Sequence, residues 1–401
     1  MGAQADPFEA SAATVGYLYQ LRKALLLCVD NLEKGIDWSI AIEASDDIEV
    51  EHDSGAGWWQ LKHRAVGTRL TDSSTDLWKS LRIWATAVSM RRVDLDRTDL
   101  FLLTTAEAPK GTVGYHLRPR EGENIRDETE ALSLLDSARS ASTSKTNKAA
   151  YEAWDELSSE ERSELLARVQ VLDCGLNIEQ TEARLHGRAA LAVGHEHATA
   201  FLQRLDGWFV QRVVKQLRDS AGPITGLEFD GIFTERRDQF RPNNLPIDDD
   251  VLALSGDVAD QTERMFVRQL ALTGIGQMRI RLAVRDYLRA YTQRSRWSSE
   301  NLLRPGEVGQ YERRLIEEWE TRFAIMEDEL GTDAAEEDKR TQAKAIYAWV
   351  EQQARISIRP GCDEAFITKG SYHLLADDLE VGWHPDFTAR LMSLLEPAVT
   401  R

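Results

Sequence analysis

Apolar residues recur every three or four positions over residues 13–34, and this period predicts an amphipathic helix. Over residues 39–51 the period changes to two, with apolar side chains at most even positions and polar ones at most odd positions. This pattern predicts one continuous strand with a single buried face. A cluster of Asp, Ser and Gly follows, and residues 58–63 are predicted as a second short strand. We therefore expect a β-hairpin over residues 39–63.

The rest of the N-terminal part alternates between helical and strand patterns. Residues 72–91 are predicted as a helix, and the apolar run 99–105 as a buried central strand. Residues 107–145 are rich in Gly, Ser, Arg and Glu, and we expect loops or a mobile insert there. The pattern is helical again in four further segments, at residues 147–156, 158–172, 177–185 and 196–217.

The C-terminal part has the pattern of a helical domain. Residues 218–250 lack a clear period and contain a cluster of Pro, Asn and Asp, which is typical of a domain boundary. Helices are predicted beyond it at residues 260–296, 306–330 and 339–354, followed by an irregular tail with many aromatic residues. We expect an α+β or α/β domain over residues 1–250 and a mostly α-helical domain over residues 251–401.

Composition limits the classes of function. No stretch approaches the ~18 consecutive apolar residues of a membrane helix. The three cysteines are far apart and odd in number, which excludes a disulfide scaffold and favours the cytoplasm. The net charge of −18 is opposite to that of a passive nucleic-acid binder. Contact with DNA would therefore need a local basic patch, a metal ion or a partner protein.

The hairpin carries the candidate chemistry. Alternation places Glu43, Asp47 and Glu49 on one face of the first strand, and Gln60 and Lys62 on one face of the second. If the chain turns at the Ser-Gly pair between the strands, Asp47 lies opposite Lys62, and Glu49 lies opposite Gln60. A slip of one residue in the register would break this arrangement.

Carboxylates, an amide and a lysine around one point are what metal-assisted hydrolysis of a phosphodiester needs. Hard oxygen ligands hold Mg²⁺ through one or two carboxylates and leave water in its coordination shell. The metal generates a hydroxide-like nucleophile, and a neighbouring lysine stabilises the developing charge or orients the water. The alternative is an ordinary antiparallel strand whose polar face is solvated.

A family resemblance appears at these residues. Residues 43–48 (EASDDI) and 60–63 (QLKH) resemble the PD-(D/E)xK nuclease signature in its QxK form. Upstream, residues 16–20 (GYLYQ) are similar to the opening of the CD-NTase-associated double-stranded DNA endonuclease family. The resemblance implies a restriction-endonuclease-like nuclease fold for the N-terminal domain, with double-stranded DNA as substrate and Mg²⁺ as cofactor.

The resemblance also implies individual roles. Asp47 would be the metal-binding aspartate, Gln60 would take the place of the usual acid, and Lys62 would be the catalytic lysine. Glu43 would be the acidic residue that precedes the aspartate and helps to hold the metal. Asp46 is an alternative to Asp47, although alternation points it toward the apolar side. Because an amide carbonyl carries no charge, one weakly held metal is more plausible than a tight two-metal site.

A second resemblance covers residues 260–390. These residues look like the C-terminal domain of ABC three-component bacterial defence systems, and attached to a nuclease domain they resemble the nuclease subunit of Lamassu systems. The words that carry it are 266–270 (FVRQL), 274–276 (GIG), 285–287 (RDY), 293–297 (QRSRW), 359–362 (RPGC), 370–373 (GSYH) and 382–387 (GWHPDF).

This second resemblance implies the partners. An SMC/Rad50-like ATPase and a small middle subunit would hold the nuclease in check, and sensing of phage or plasmid DNA would release it to form a homo-oligomer that cuts DNA. Two alternatives are kept: a non-catalytic adaptor that bridges the ATPase to another effector, and a specific RNase. Arg281, Arg285 and Arg289 share one predicted helix face, which would dock a partner or DNA phosphates, or would simply be solvated.

Overall fold

The computed structural model describes residues 7–120, 126–218, 221–256 and 258–395. The chain divides into two compact units, Met1–Glu235 and Arg236–Arg401. This division comes before the boundary expected at residue 250. The reason is that residues of the expected linker pack within the second unit: Trp297 donates its indole N–H to the Pro246 carbonyl at 2.6 Å, and Gln293 bonds Asp248.

One mixed sheet forms the centre of the described part of the first unit. Its six strands lie in the order β5-β4-β3-β2-β1-β6. Neighbours are antiparallel from β6 through β1 and β2 to β3, and parallel from β3 through β4 to β5. The strands are β1 (Trp38–Ile42), β2 (Ile48–His52), β3 (Gly55–Lys62), β4 (Thr98–Thr104), β5 (Val169–Leu172) and β6 (Ile224–Thr225).

Helices cover both faces of this sheet. On one face, Trp58 and Leu100 pack with side chains of α2, α5 and α6 in a core that includes Trp84. On the other face lies α1, whose Lys23 ammonium contacts the Trp59 ring, and α1 packs against α7 and α8. The helices are α1 (Pro7–Asn31), α2 (Thr75–Ser89), α3 (Val113–His116), α4 (Glu128–Ala141), α5 (Lys148–Asp155), α6 (Ser159–Arg168), α7 (Ile178–Val193), α8 (Ala198–Leu217) and α9 (Gly226–Asp238), with a 3-10 turn at Leu32–Lys34.

The prediction of one continuous strand over residues 39–51 is wrong. The chain turns between β1 and β2, where Glu43 adopts a φ of +53° and its amide donates to the Asp47 carbonyl at 3.1 Å. In the β1–β2 register Ile42 pairs with Ile48, and Ile40 pairs with Val50. Paired residues point to the same side of a sheet, so the even positions stay on one face through the turn. The period of two therefore runs across the turn without interruption.

The expected pairing between the acidic strand and the QxK strand is also wrong, by two residues. Glu49 pairs with Trp58, not with Gln60, and Ile48 pairs with Trp59. A shift of two preserves the faces, because side chains alternate with a period of two. Glu49 instead accepts a hydrogen bond from the Trp58 indole at 2.9 Å.

Two further segments differ from the predictions. The described part of residues 107–145 contains α3 and α4, whose Val113, Ala131 and Leu135 are fully buried, so it contributes to the core. The helix expected over residues 158–172 ends at Arg168, and Val169–Leu172 forms β5 beside β4. Its sequence, VQVL, alternates and is rich in β-branched residues, a signal too short to outweigh the helical pattern before it.

The described part of the second unit is helical, as expected, but the tail predicted to be irregular also contains two helices, Ala365–Asp377 and Phe387–Leu395. α12 packs against α15, and the two approach closely at Gly370, where a Cβ would lie 2.1 Å from the Asp286 carbonyl oxygen. No helix in the described ranges is long and apolar enough to span a membrane. The remaining helices are α10 (Asp249–Leu252), α11 (Met265–Leu272), α12 (Gln277–Ser299), α13 (Glu307–Leu330), α14 (Glu336–Gln352), α15 (Ala365–Asp377) and α16 (Phe387–Leu395), with a 3-10 turn at Ala259–Gln261.

Burial of His373 predicts acid sensitivity of the second unit. His373 is 1% exposed and packs against Phe266 and Tyr347, and burial lowers its pKa to about 3. The unfolded chain takes up this proton near pH 6.5 and the folded chain does not, so stability falls as pH drops below 6.5. We expect a loss of about 2 kcal/mol in the free energy of unfolding between pH 7 and pH 5 from this residue.

Urea unfolding at the two pH values tests this. His373→Phe should reduce the difference in unfolding free energy between the two pH values by about 2 kcal/mol, whereas His195→Gln, at an exposed position, should leave that difference unchanged. An equal pH slope in wild type and His373→Phe would show that other groups cause the acid sensitivity.

Candidate active site

The turn between β1 and β2 and the end of β3 bring the candidate residues together. Asp46 and Asp47 lie in the turn, and Gln60 and Lys62 lie on β3. Alternation along β3 points both of these side chains to the face that α2 covers, since Trp58 on the same face belongs to that core. The four side chains thus meet at one end of the sheet. The sequence pattern predicted Asp46 and Asp47 within a strand, whereas the structure places them in a turn.

Asp47 is held at the centre of the cluster. Its Oδ2 accepts a hydrogen bond from the Leu61 amide at 2.7 Å and lies 3.5 Å from the Lys62 Nζ. Its Oδ1 accepts from the Gln60 Nε2 at 3.2 Å. The Asp47 and Lys62 side chains are 15% and 17% exposed, so the pair is shielded from solvent on most sides and remains accessible on one.

The Lys62 ammonium interacts with two oxygen atoms. It donates to the Gln60 Oε1 at 2.6 Å and lies 3.5 Å from the Asp47 Oδ2. A carboxylate oxygen and an amide carbonyl oxygen are hard donors of the kind that Mg²⁺ binds. A positive charge therefore already lies between two oxygens that are suited to a divalent cation.

Asp46 is the more deeply buried of the two aspartates. It is 6% exposed, and its Oδ2 accepts a hydrogen bond from the Trp84 Nε1 of α2 at 2.7 Å. Its Oδ1 accepts from the Gln60 Nε2 and from the Asp47 amide, the latter at 3.0 Å. Burial raises the pKa of Asp46 to about 6, against the opposing effect of the hydrogen bonds from Gln60 and Trp84. The direction expected from alternation is wrong: it placed Asp46 on the face of Ile48, which pairs with Trp59. Asp46 lies in a turn, where strand alternation does not hold, and it bonds Gln60 and Trp84 on the opposite, α2-covered face.

Glu43 lies at the exposed edge of the cluster. Partial burial raises the pKa of its carboxyl, the charge of Asp47 raises it further, and the Lys62 ammonium lowers it. These influences show that Glu43 shares the electrostatic environment of the site. Its side chain is exposed to solvent beside this cluster.

The residues present fit a single Mg²⁺. Asp47 and Glu43 offer carboxylate oxygens, and Gln60 offers a carbonyl oxygen that already contacts a cationic group. The donor set is entirely oxygen and carries few charges, which suits a weakly held ion that retains several waters. The Lys62 ammonium would have to move from its present contacts when such an ion binds.

Sequence reasoning missed Trp84. The apolar pattern of residues 72–91 placed it correctly on the buried face of a helix, and it is fully buried. No local signal showed that its indole N–H reaches Asp46, which is far away in the sequence. A tryptophan facing a buried carboxylate is a tertiary feature.

The arginine face of α12 is partly used within its own unit. Arg289 donates to the carbonyls of Leu252 and Leu254, and Arg285 pairs with the adjacent Asp286. Arg281 lines a cavity of about 460 Å³ beside Arg285. The three arginines are thus not equivalent, and at most the Arg281 end of the row offers cationic surface to a partner or to DNA.

Comparison with known proteins gives one result for the second unit. No curated protein matched the chain at a significant level. Residues 266–391 match the family described as C-terminal domain 7 of the ABC-three component (ABC-3C) systems. The match covers most of the helical unit and includes α11 to α15. It shows that the helical unit is similar to this domain, over less than half of the chain.

Proposed function

We propose that this chain is a Mg²⁺-dependent endonuclease that cuts double-stranded DNA. It would be the nuclease subunit of a Lamassu-type ABC three-component system that defends bacteria against phages and plasmids. The observation that carries the proposal is the meeting of Asp47 Oδ2, Gln60 Oε1 and Lys62 Nζ at one end of the sheet. The same residues form the QxK signature found in the sequence.

Each side chain has a defined task in this reaction. Asp47 and Gln60, with Glu43 at the edge, provide oxygens for one Mg²⁺, which supplies a polarised phosphate and an activated water. Lys62 keeps its charge beside the site and stabilises the negative charge that develops on the phosphate, or orients the attacking water. The half-buried position of Asp47 and Lys62 strengthens these interactions relative to bulk water.

The charge of the chain supports a controlled enzyme. At −18 the protein repels DNA as a whole, so productive contact needs the metal, a local patch or further subunits. We propose that an SMC/Rad50-like ATPase and a small middle subunit hold the chain inactive, and that release followed by homo-oligomerisation creates the DNA channel. The family match of the helical unit supports a multi-component assembly.

Cleavage of plasmid and linear double-stranded DNA tests the proposal. We expect cleavage with Mg²⁺, none with a chelator, and a rate that rises more steeply than linearly with protein concentration because assembly is required. Single-stranded RNA of matched length, supplied in parallel, separates a DNase from an RNase. A rate strictly proportional to concentration, with a monomer by light scattering, would contradict activation by assembly.

The adaptor alternative makes a different prediction. A chain that only bridges subunits would cut no DNA at any concentration, with or without the ATPase and the small subunit. In that case a variant with both Asp47→Ala and Lys62→Ala would protect cells as well as wild type does. That combination of results would overturn the nuclease proposal.

A further inference from the structure

Both carboxylate oxygens of Asp46 are already engaged by donors from the protein. The Trp84 indole N–H donates a hydrogen bond to Oδ2 at 2.7 Å, and the Asp47 amide and the Gln60 Nε2 donate hydrogen bonds to Oδ1. The three side chains are buried, with Trp84 at 0%, Gln60 at 2% and Asp46 at 6% exposure. Asp47 also accepts hydrogen bonds at both oxygens, but its side chain is 15% exposed, so an ion from solvent reaches Asp47 more readily than Asp46.

Asp46 accepts the shorter of the two hydrogen bonds that the Gln60 Nε2 donates, the other going to the Asp47 Oδ1 at 3.2 Å, and it thereby helps to determine how the Gln60 amide is turned. The two ends of an amide have nearly the same shape, so hydrogen-bond partners decide which end points where. An ionised Asp46 only accepts hydrogen bonds, and it therefore requires the Nε2 end of Gln60 to face it. The Oε1 end is consequently directed to the Lys62 ammonium at 2.6 Å.

We propose that Asp46 is a positioning residue, held in place by Trp84. It turns the carbonyl end of Gln60 toward the position that the Lys62 ammonium occupies now and that Mg²⁺ would occupy when bound. This inference rests on the proposed function, and it assigns Asp47 rather than Asp46 as the aspartate ligand. It also explains why an amide stands where related signatures have an acid. A glutamate at position 60 would bring a second buried carboxylate against Asp46, with no donor between the two.

Trp84→Phe is the cleanest test, because it removes one N–H donor without changing any charge near the site. Substitution of a residue that holds a metal ligand in place typically changes metal affinity by about 10–100-fold. We expect the Mn²⁺ concentration for half-saturation, measured by electron paramagnetic resonance without DNA, to rise about tenfold. Asp46→Asn should weaken Mn²⁺ binding to a smaller extent than Asp47→Asn does.

Trp78→Phe provides a matched control. Trp78 lies on the same helix, is fully buried, and donates its indole N–H to the Asp72 carbonyl at 2.7 Å. Trp78→Phe should lower the thermal stability about as much as Trp84→Phe does, and it should leave the Mn²⁺ concentration for half-saturation unchanged. Equal Mn²⁺ midpoints in Trp84→Phe and Trp78→Phe would overturn the positioning role, as would loss of all Mn²⁺ binding in Asp46→Asn with retention in Asp47→Asn.

A measurement on the metal-free protein separates this inference from the proposed function. The side-chain amide signals of Gln60 in ¹H–¹⁵N spectra, assigned by their absence in Gln60→Glu, report the orientation directly. We expect them to shift in Trp84→Phe and in Asp46→Asn, and to stay in place in Trp78→Phe. If wild type neither binds Mn²⁺ nor cuts DNA, the proposed function fails. Unshifted amide signals in Trp84→Phe would overturn the positioning role whether or not the protein is a nuclease.

Discussion

Lys62→Ala is expected to reduce the rate of DNA cleavage about 10²–10³-fold while it binds Mn²⁺ at least as tightly as wild type does. The loss follows from removing a positioned charge that stabilises the transition state. The retained or increased affinity follows from geometry: the Lys62 ammonium contacts the Gln60 Oε1 and lies near the Asp47 Oδ2, so it competes with a cation for the same oxygens.

Asp47→Asn should behave differently from Lys62→Ala. It removes a carboxylate ligand and therefore should lose both Mn²⁺ binding and cleavage. Cleavage is measured as the first-order rate of loss of supercoiled plasmid at saturating Mg²⁺, and binding is measured by Mn²⁺ titration without DNA. Comparison of the two variants thus separates the ligand from the residue that acts on the phosphate.

Lys148→Ala is the matched control for the lysine. Its side chain is 75% exposed on α5, where it pairs with Glu152, and it lies outside the site. Lys148→Ala should change neither the rate of DNA cleavage nor the affinity for Mn²⁺. If Lys62→Ala cut DNA at the wild-type rate, Lys62 would have no catalytic task, and the PD-(D/E)xK interpretation of the hairpin would be wrong.

Arg359→Met is expected to destabilise the second unit by about 3 kcal/mol, because it removes the guanidinium from a carboxylate that is 11% exposed and leaves that carboxylate only the Arg304 amide as a donor. Arg359 is 8% exposed and donates to both carboxylate oxygens of Glu307 at 2.8 Å. It also donates to the carbonyls of Asn244 and Leu302 at 2.9 Å and 2.8 Å. One side chain thus fastens the segment before α10 to the start of α13.

Urea unfolding of the full chain measures this effect. Glu307→Gln combined with Arg359→Met should recover part of the loss, because the double variant no longer buries an unpaired charge. Arg340→Met is the control, since Arg340 makes a half-exposed pair with Glu336 within one helix and should cost less than about 1 kcal/mol. A loss below 1 kcal/mol in Arg359→Met would show that solvent reaches Glu307 in the folded state.

The N-terminal hairpin shows how far a local pattern predicts structure. Alternation correctly placed Gln60 and Lys62 on one face of a strand, because side chains two positions apart along a strand point to the same face of the sheet. It missed the turn at residues 43–47, because cross-strand pairs keep even positions on the same face on both sides of that turn. The register depended on where the turns lie, and the pattern alone did not fix their positions.

The helical unit was the easier part to predict. Helices over 306–330 and 339–354 were expected, and α13 and α14 confirm them within a few residues. Their apolar stripes are long and regular, which makes the 3.6-residue period unambiguous. The chain divides at residue 235, before the boundary predicted at 250, and the Pro- and Asn-rich segment that looks like a linker is held to the helices by Trp297 and Arg359.

The sequence by itself identified the candidate residues: two adjacent aspartates, and an amide and a lysine two positions apart on one strand. Tertiary structure alone decided how they are used. A turn lets both aspartates reach Gln60, and Trp84, from a distant helix, engages one of them. The physical reason is that strand periodicity specifies the face of a side chain, whereas hydrogen bonds between elements distant in sequence specify its partner and orientation.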